Sequence, residues 1–159
     1  MRALDLIKLQ CYALENQCRF ICRDLRAEDF AWRPSSGSPS IGWHLGHIVL
    51  AHDRNLFIGN QQVLPEDYKE FFGFKSSGDF PDSCDPNLLL DKLKEINEQI
   101  LTALSTRDDA WLSENAADEK LPLCLCRYKQ TVFSLFLGIF RLLFQSLHQD
   151  RDASMLMRL

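Results

Sequence analysis

Imidazole and carboxylate side chains one helical turn apart can hold a metal ion between packed helices, and this chain offers two such places. The segment Ser38-Pro39-Ser40-Ile41-Gly42-Trp43-His44-Leu45-Gly46-His47-Ile48-Val49-Leu50-Ala51-His52-Asp53 carries three of the four histidines. The fourth, His148, stands four residues before Asp152, so on a helix both reach toward one point. One histidine of the first segment joined to His148 and Asp152 gives two nitrogens and a carboxylate. Positions then stay open for water or substrate, a donor set that suits Zn, Ni, Fe(II) or Mn. At about 100° per residue, His52 falls on the Ile41/Leu45/Ile48 stripe, His44 lies at its edge and His47 is rotated about 120° from Ile41. Spacing alone selects none of the three.

Six cysteines invite a disulfide or zinc reading, and their positions argue against both. Cys11 and Cys18 belong to the series Leu4, Ile7, Cys11, Leu14, Cys18, Ile21, Leu25, where they act as small core hydrophobes, and Cys22 flanks the same stripe. Cys124 and Cys126 form a C-x-C without the second pair or nearby histidine that a tetrahedral zinc site needs, and Cys84 stands alone.

The 159 residues suffice for one domain with a real core. A net charge of −4 argues against nucleic acid as a partner, which calls for a basic face. The start, Met1-Arg2-Ala3-Leu4-Asp5, has no apolar signal core. The longest apolar run, Val132 to Leu143, is interrupted by Ser134 and Arg141 and is too short for a bilayer. The expectation is a cytoplasmic protein with reduced thiols and no membrane partner.

The elements that must position the histidines follow from periodicity. The apolar stripe predicts a first helix over about residues 3 to 26. Ala27 to Ser38 reads as an ordered loop, after which Ser38-Pro39 or Ser40 caps a second helix running to about Gly59. Between Asn60 and Ser83, prolines and glycines punctuate Tyr68, Phe71, Phe72, Phe74 and Phe80, with a helical turn over Pro65 to Phe72. Long aromatic connections of this kind often carry function or cover a site. Asp85-Pro86 opens a third helix, with Leu89, Leu93, Ile96, Ile100 and Leu104 on one face, ending near Ser105. Asp108-Asp109-Ala110-Trp111 echoes Asp29-Phe30-Ala31-Trp32, a hint of two similar helix pairs. Leu121 to Arg127 alternates as a short extended piece, and Thr131 opens a fourth helix to about Met157, apolar nearly all round and so central or at a dimer contact. The fold class is all-α, a four-helix bundle in a single domain over 1–159.

Ser40-Ile41-Gly42-Trp43-His44-Leu45-Gly46-His47-Ile48 resembles the second-helix motif of the DinB/YfiT-like superfamily, and the N-terminal DinB-like domain of ergothioneine-type sulfoxide synthases carries a similar W-H-L-x-H. The resemblance extends over the four helices and the aromatic connection. It implies that the last histidine of the motif, His47, is a metal ligand. It further implies two ligands from an H-x-x-x-H on the last helix, where this chain has His148 and, in place of the second histidine, Asp152. A register shifted by one turn would set Phe144 and His148 there and leave the site degenerate; the match of Leu147-His148-Gln149 favours the first.

Members of that superfamily include metal-dependent transferases that use low-molecular-weight thiols such as bacillithiol. The resemblance therefore implies a divalent metal (Zn, Ni, Fe or Mn) on His47, His148 and Asp152, acting on a thiol as a transferase or on water as a hydrolase. His44 or His52 would accept a proton or support a ligand. Trp43, Tyr68 and Phe74 would wall the pocket. The chain lacks the large C-terminal domain of the sulfoxide synthases, so their full reaction is not expected. The alternative is a non-catalytic dimeric bundle with a degenerate metal site. A homodimer is expected from the apolar fourth helix and from Trp43, Leu50 and Phe57 on the far side of the second.

Overall fold

The computed structural model describes residues 3–55, 63–111, 145, 148 and 149. Every regular element among them is helical, and no helix there is long and apolar enough to cross a membrane. The expected extended piece over 121–127, most of the fourth helix, the end of the second helix with Phe57, and Asp152 lie outside the described residues. Gln145, His148 and Gln149 are helical.

The first helix, α1, spans Ala3–Cys22. Its buried face is Leu4, Ile7, Cys11, Leu14, Cys18 and Cys22, the expected stripe, closing on Cys22 rather than on Ile21. The cysteines are core residues: burial pushes the Cys18 thiol up and the Cys22 thiol to about 12, so both stay protonated and inert. The helix stops one turn before residue 26. Arg26 is extended and begins a 3-10 helix over Ala27–Ala31, within what was expected as an ordered loop. The buried Asp29 carboxylate accepts from Arg26 N at 2.7 Å, so the turn closes on itself and cannot continue α1. The later echo is capped differently: Asp108 accepts from Trp111 N at 2.8 Å as the first residue of its turn, whereas Asp29 sits inside its own.

Three further helices complete the described fold: α2 over Ile41–Asn55, α3 over Tyr68–Phe72 and α4 over Pro86–Ser105. Asp85 caps α4 by accepting from Asn87 N at 2.8 Å, with Pro86 in the first turn, as the sequence signals. Leu89, Leu93, Ile96, Ile100 and Leu104 form its buried face, joined by Asn97. α1 and α4 are antiparallel. Leu4 N donates to Asp109, Asn97 Nδ2 to Cys11 O and Arg19 Nη2 to Leu90 O, pairing the start of one helix with the end of the other.

α2 is the central element. Every residue from Ile41 to Leu50 is buried. This corrects the expectation of a free far side: Trp43 is 6% exposed and Leu50 5%, both inside the core cluster, so neither offers a surface to a second copy. The cover comes in part from the aromatic connection, which runs back along α2. Asp53, itself buried, accepts from Val63 N at 2.9 Å and Leu64 N at 3.2 Å, and Ser40 N donates to Gly78 O at 2.9 Å. One end of the connection is thus tied near the end of α2 and the other at its start.

A polar chain crosses this core. Asn97 Nδ2 donates to Cys11 O at 3.1 Å and to Glu15 Oε2 at 3.2 Å, both pure acceptors. Its Oδ1 therefore faces His52 Nε2 at 2.7 Å, and His52 must carry its proton there. Three helices are keyed to one amide, since a slip would strand buried donors. Replacing Asn97 by Leu removes the acceptor of a buried imidazole N–H, at a cost of about 2–3 kcal/mol, or roughly 5–10 °C in Tm. Differential scanning calorimetry checks this; an unchanged Tm would show that the amide does not key the helices.

Candidate functional site

The site begins at the N-terminus of α2. Ser40 Oγ accepts from Trp43 N at 3.1 Å, and Ile41 N donates to Trp32 O, so the first turn is capped and the phases of Trp43, His44 and His47 are set. Gly42 and Gly46 follow, four residues apart and on one face. A Cβ at Gly42 would lie 2.3 Å from the Phe80 ring, and one at Gly46 would lie 2.3 Å from the Phe72 ring. The two rings rest directly on the helix backbone. Phe30 extends the stack, 5.9 Å from Phe80, and Tyr68 packs 5.8 Å from Phe72.

That close approach brings the last residue of α3 to His47. Phe72 O lies 2.6 Å from His47 Nδ1. A carbonyl only accepts, so Nδ1 carries the proton and Nε2 is the lone-pair nitrogen. Nε2 is screened from solvent. The Trp43 ring stacks on the imidazole at 4.7 Å with planes 9° apart, and Phe74 meets it edge-on at 4.5 Å. Phe74 is otherwise 82% exposed, a large apolar ring held at the rim. Gly73 closes α3, donating to Lys69 O at 3.0 Å, and a Cβ there would lie 2.4 Å from that same carbonyl. Only glycine fits the turn that directs Phe74 toward His47.

His44 meets Trp43 edge-on at 5.2 Å. Its Nδ1 is buried with no hydrogen bond among the described residues. Burial, then the neighbouring His47, lowers its pKa to about 4. Burial lowers His47 as well, partly opposed by the hydrogen bond to Phe72. Both rings are neutral at pH 7 and present nitrogen lone pairs without first losing a proton.

The structure thus brings Trp43, His44, His47 and Phe74 together. Tyr68 stands one ring away, behind Phe72, its phenol pushed up by burial. His52 is elsewhere, held by Asn97 between α2 and α4. His148 lies on helical backbone with its Nε2 buried. Among the described residues no three His, Cys, Asp or Glu side chains are gathered closely enough to hold a metal ion. Three contributors escape a reading by motif: the glycine pair, Asn97, and Ser76, whose Oγ accepts from Trp43 Nε1 at 2.7 Å. The G-x-x-x-G within the histidine segment was the available signal for the first, since that spacing marks close approach to a helix. Nothing in the sequence around Ser76 or Asn97 distinguishes them.

A family model described as the DinB superfamily matches residues 12–122, which include α2, α3, α4 and most of α1. No curated protein and no solved structure gives a significant match.

Gly46→Ala tests the close approach. On helix propensity alone the change stabilises by about 1 kcal/mol. Overpacking against the buried Phe72 ring costs about 1–3 kcal/mol and lifts the Phe72 carbonyl from His47. The expected result is a lower Tm by thermal melting. Gly37→Ala, where nothing lies within 4 Å, leaves it unchanged. A stabilised Gly46→Ala protein would mean that the ring does not rest on the helix.

Proposed function

This chain belongs to the DinB superfamily, and we propose that it is a metal-dependent enzyme, a transferase using a low-molecular-weight thiol or a hydrolase. His47, His148 and Asp152 are its proposed ligands, and the helix carrying the last two is the proposed fourth member of a four-helix bundle. The single observation that carries the reading is the bond from His47 Nδ1 to the Phe72 carbonyl. A metal-binding imidazole is typically oriented by such an acceptor on its other nitrogen, which fixes the tautomer and raises ligand basicity.

The donor set, two imidazoles and a carboxylate, fits Zn, Ni, Fe or Mn. When bound, such an ion supplies a thiol or water nucleophile near neutral pH by lowering its pKa. The remaining work falls to the chain's own side chains. Trp43, stacked on His47, and Phe74, edge-on to it, are the proposed walls of the pocket, with Tyr68 one ring further away against Phe72. His44, one turn from His47 and edge-on to Trp43, is the proposed proton acceptor. His52, whose Nε2–H is committed to Asn97, supports the helix instead. Cytoplasmic location and homodimerisation belong to the same proposal.

The second reading is a non-catalytic dimeric bundle with a degenerate site; it is favoured by Asp152 standing where the family motif has its second histidine. Metal analysis separates the two. The enzyme reading expects one equivalent of Zn, Ni, Fe or Mn per chain and a rise in Tm on adding the ion, worth about 2.7 kcal/mol at a hundredfold excess over Kd. Both effects should vanish in His47→Ala and in Asp152→Ala. Protein that purifies metal-free and melts at the same temperature with or without these ions sides with the bundle.

A further inference from the structure

Two consecutive carbonyls close α3, at Phe72 and Gly73, beyond the last donors of their own helix. The first accepts from His47 Nδ1 at 2.6 Å. The second accepts twice from Ser76, from its N at 3.0 Å and its Oγ at 2.7 Å. The same hydroxyl lies 2.7 Å from Trp43 Nε1. An indole N–H only donates and a carbonyl only accepts, so the hydroxyl must take one bond and give the other. Trp43 is stacked flat on His47. The two stacked rings are therefore hung from adjacent carbonyls, one directly and one through a serine.

We propose that Ser76 is a positioning residue for His47: its hydroxyl links the Trp43 indole to Gly73, holds the indole plane parallel to the imidazole, and so fixes the direction in which His47 Nε2 points. Its consequence for metal binding rests on the reading of His47 as a ligand; its effect on the orientation of the ring does not. Without the hydroxyl the indole N–H loses its acceptor in a half-buried place, and Trp43 can turn about its own ring bond. The imidazole then loses the fixed plane on which it stacks and can swing about its bond to the Phe72 carbonyl. Ser76 touches neither substrate nor metal in this scheme and acts through Trp43.

The test pairs Ser76→Ala with Ser76→Thr, which keeps the hydroxyl. In nitrogen-15-labelled full-length protein without metal, the His47 Nδ1 proton and the cross-relaxation between the Trp43 and His47 rings are followed by NMR. The alanine variant is expected to exchange that proton about tenfold faster and to lose ring-to-ring cross-relaxation, and the threonine variant to restore both. Zn(II) titration by calorimetry should show affinity about tenfold weaker or worse in Ser76→Ala, the range seen when an outer partner of a metal-binding histidine is removed. Should the alanine variant not fold, Ser76→Cys, whose thiol is a poor acceptor for the indole, is read by the same two signals. An alanine or cysteine variant with the wild-type exchange rate and cross-relaxation overturns the proposal. Wild-type protein that binds none of Zn(II), Ni(II), Fe(II) and Mn(II) overturns the metal reading instead, and the imidazole proton then decides Ser76 by itself.

Discussion

The contact on which the site depends is between atoms that are not there and rings that are. Gly42 and Gly46 leave a strip of bare backbone along α2, and Phe80 and Phe72 fill it. Any side chain at either position would hold the connection off by the thickness of a methyl group. A hydrogen bond does not survive such a displacement: the Phe72 carbonyl at 2.6 Å from His47 would move out of bonding range. The tautomer of His47, the stacking of Trp43 and the placement of Phe74 all follow from that seating. Apolar packing here sets polar geometry, and the order of cause runs from the glycines outward.

Burying three histidines on one central helix creates a problem that the fold meets in three ways. Each ring loses solvent, which disfavours its charged form and leaves its nitrogens in need of partners. His52 donates its Nε2–H to an amide that also binds two groups on α1, so it becomes part of the scaffold. His47 donates its Nδ1–H to a main-chain carbonyl, which leaves the opposite nitrogen as an electron-pair donor. His44 holds a buried nitrogen with no hydrogen bond among the described residues. Identical residue types in one segment thus have distinct chemistry, because the groups opposite them differ. That division is the physical basis for assigning them separate roles.

Patterns that repeat along one element were legible in the sequence. The α1 stripe, the buried face of α4 and the Asp85-Pro86 start all depend on neighbours three or four residues away, and helical periodicity exposes them directly. The position of His47 in its motif was legible only through the family resemblance; the wheel had placed it away from the apolar stripe. What stayed hidden were pairings made across the fold: His47 with Phe72, Trp43 with Ser76, His52 with Asn97. No property of a lone serine or asparagine announces such a partner. Trp43 and Leu50 were misplaced for a related reason. A wheel assumes that one face of a helix meets water, and α2 has no such face from Ile41 to Leu50.

The connection behind α2 is pinned at Leu64 by Asp53 and at Gly78 by Ser40, at opposite ends of the same helix. Ser40 and Asp53 are separated by about 20 Å of helix rise, so the strap is cut to a gauge that α2 itself provides. Adding or deleting one residue within it shifts the chain by about 3.5 Å along its path. That shift exceeds the reach of the bond between Phe72 and His47. Side chains along the strap are free to vary wherever they face solvent, but its contour length is not. Relatives that keep the two glycines and the final histidine of the motif should therefore conserve the residue count between those pins even where the letters between them have changed.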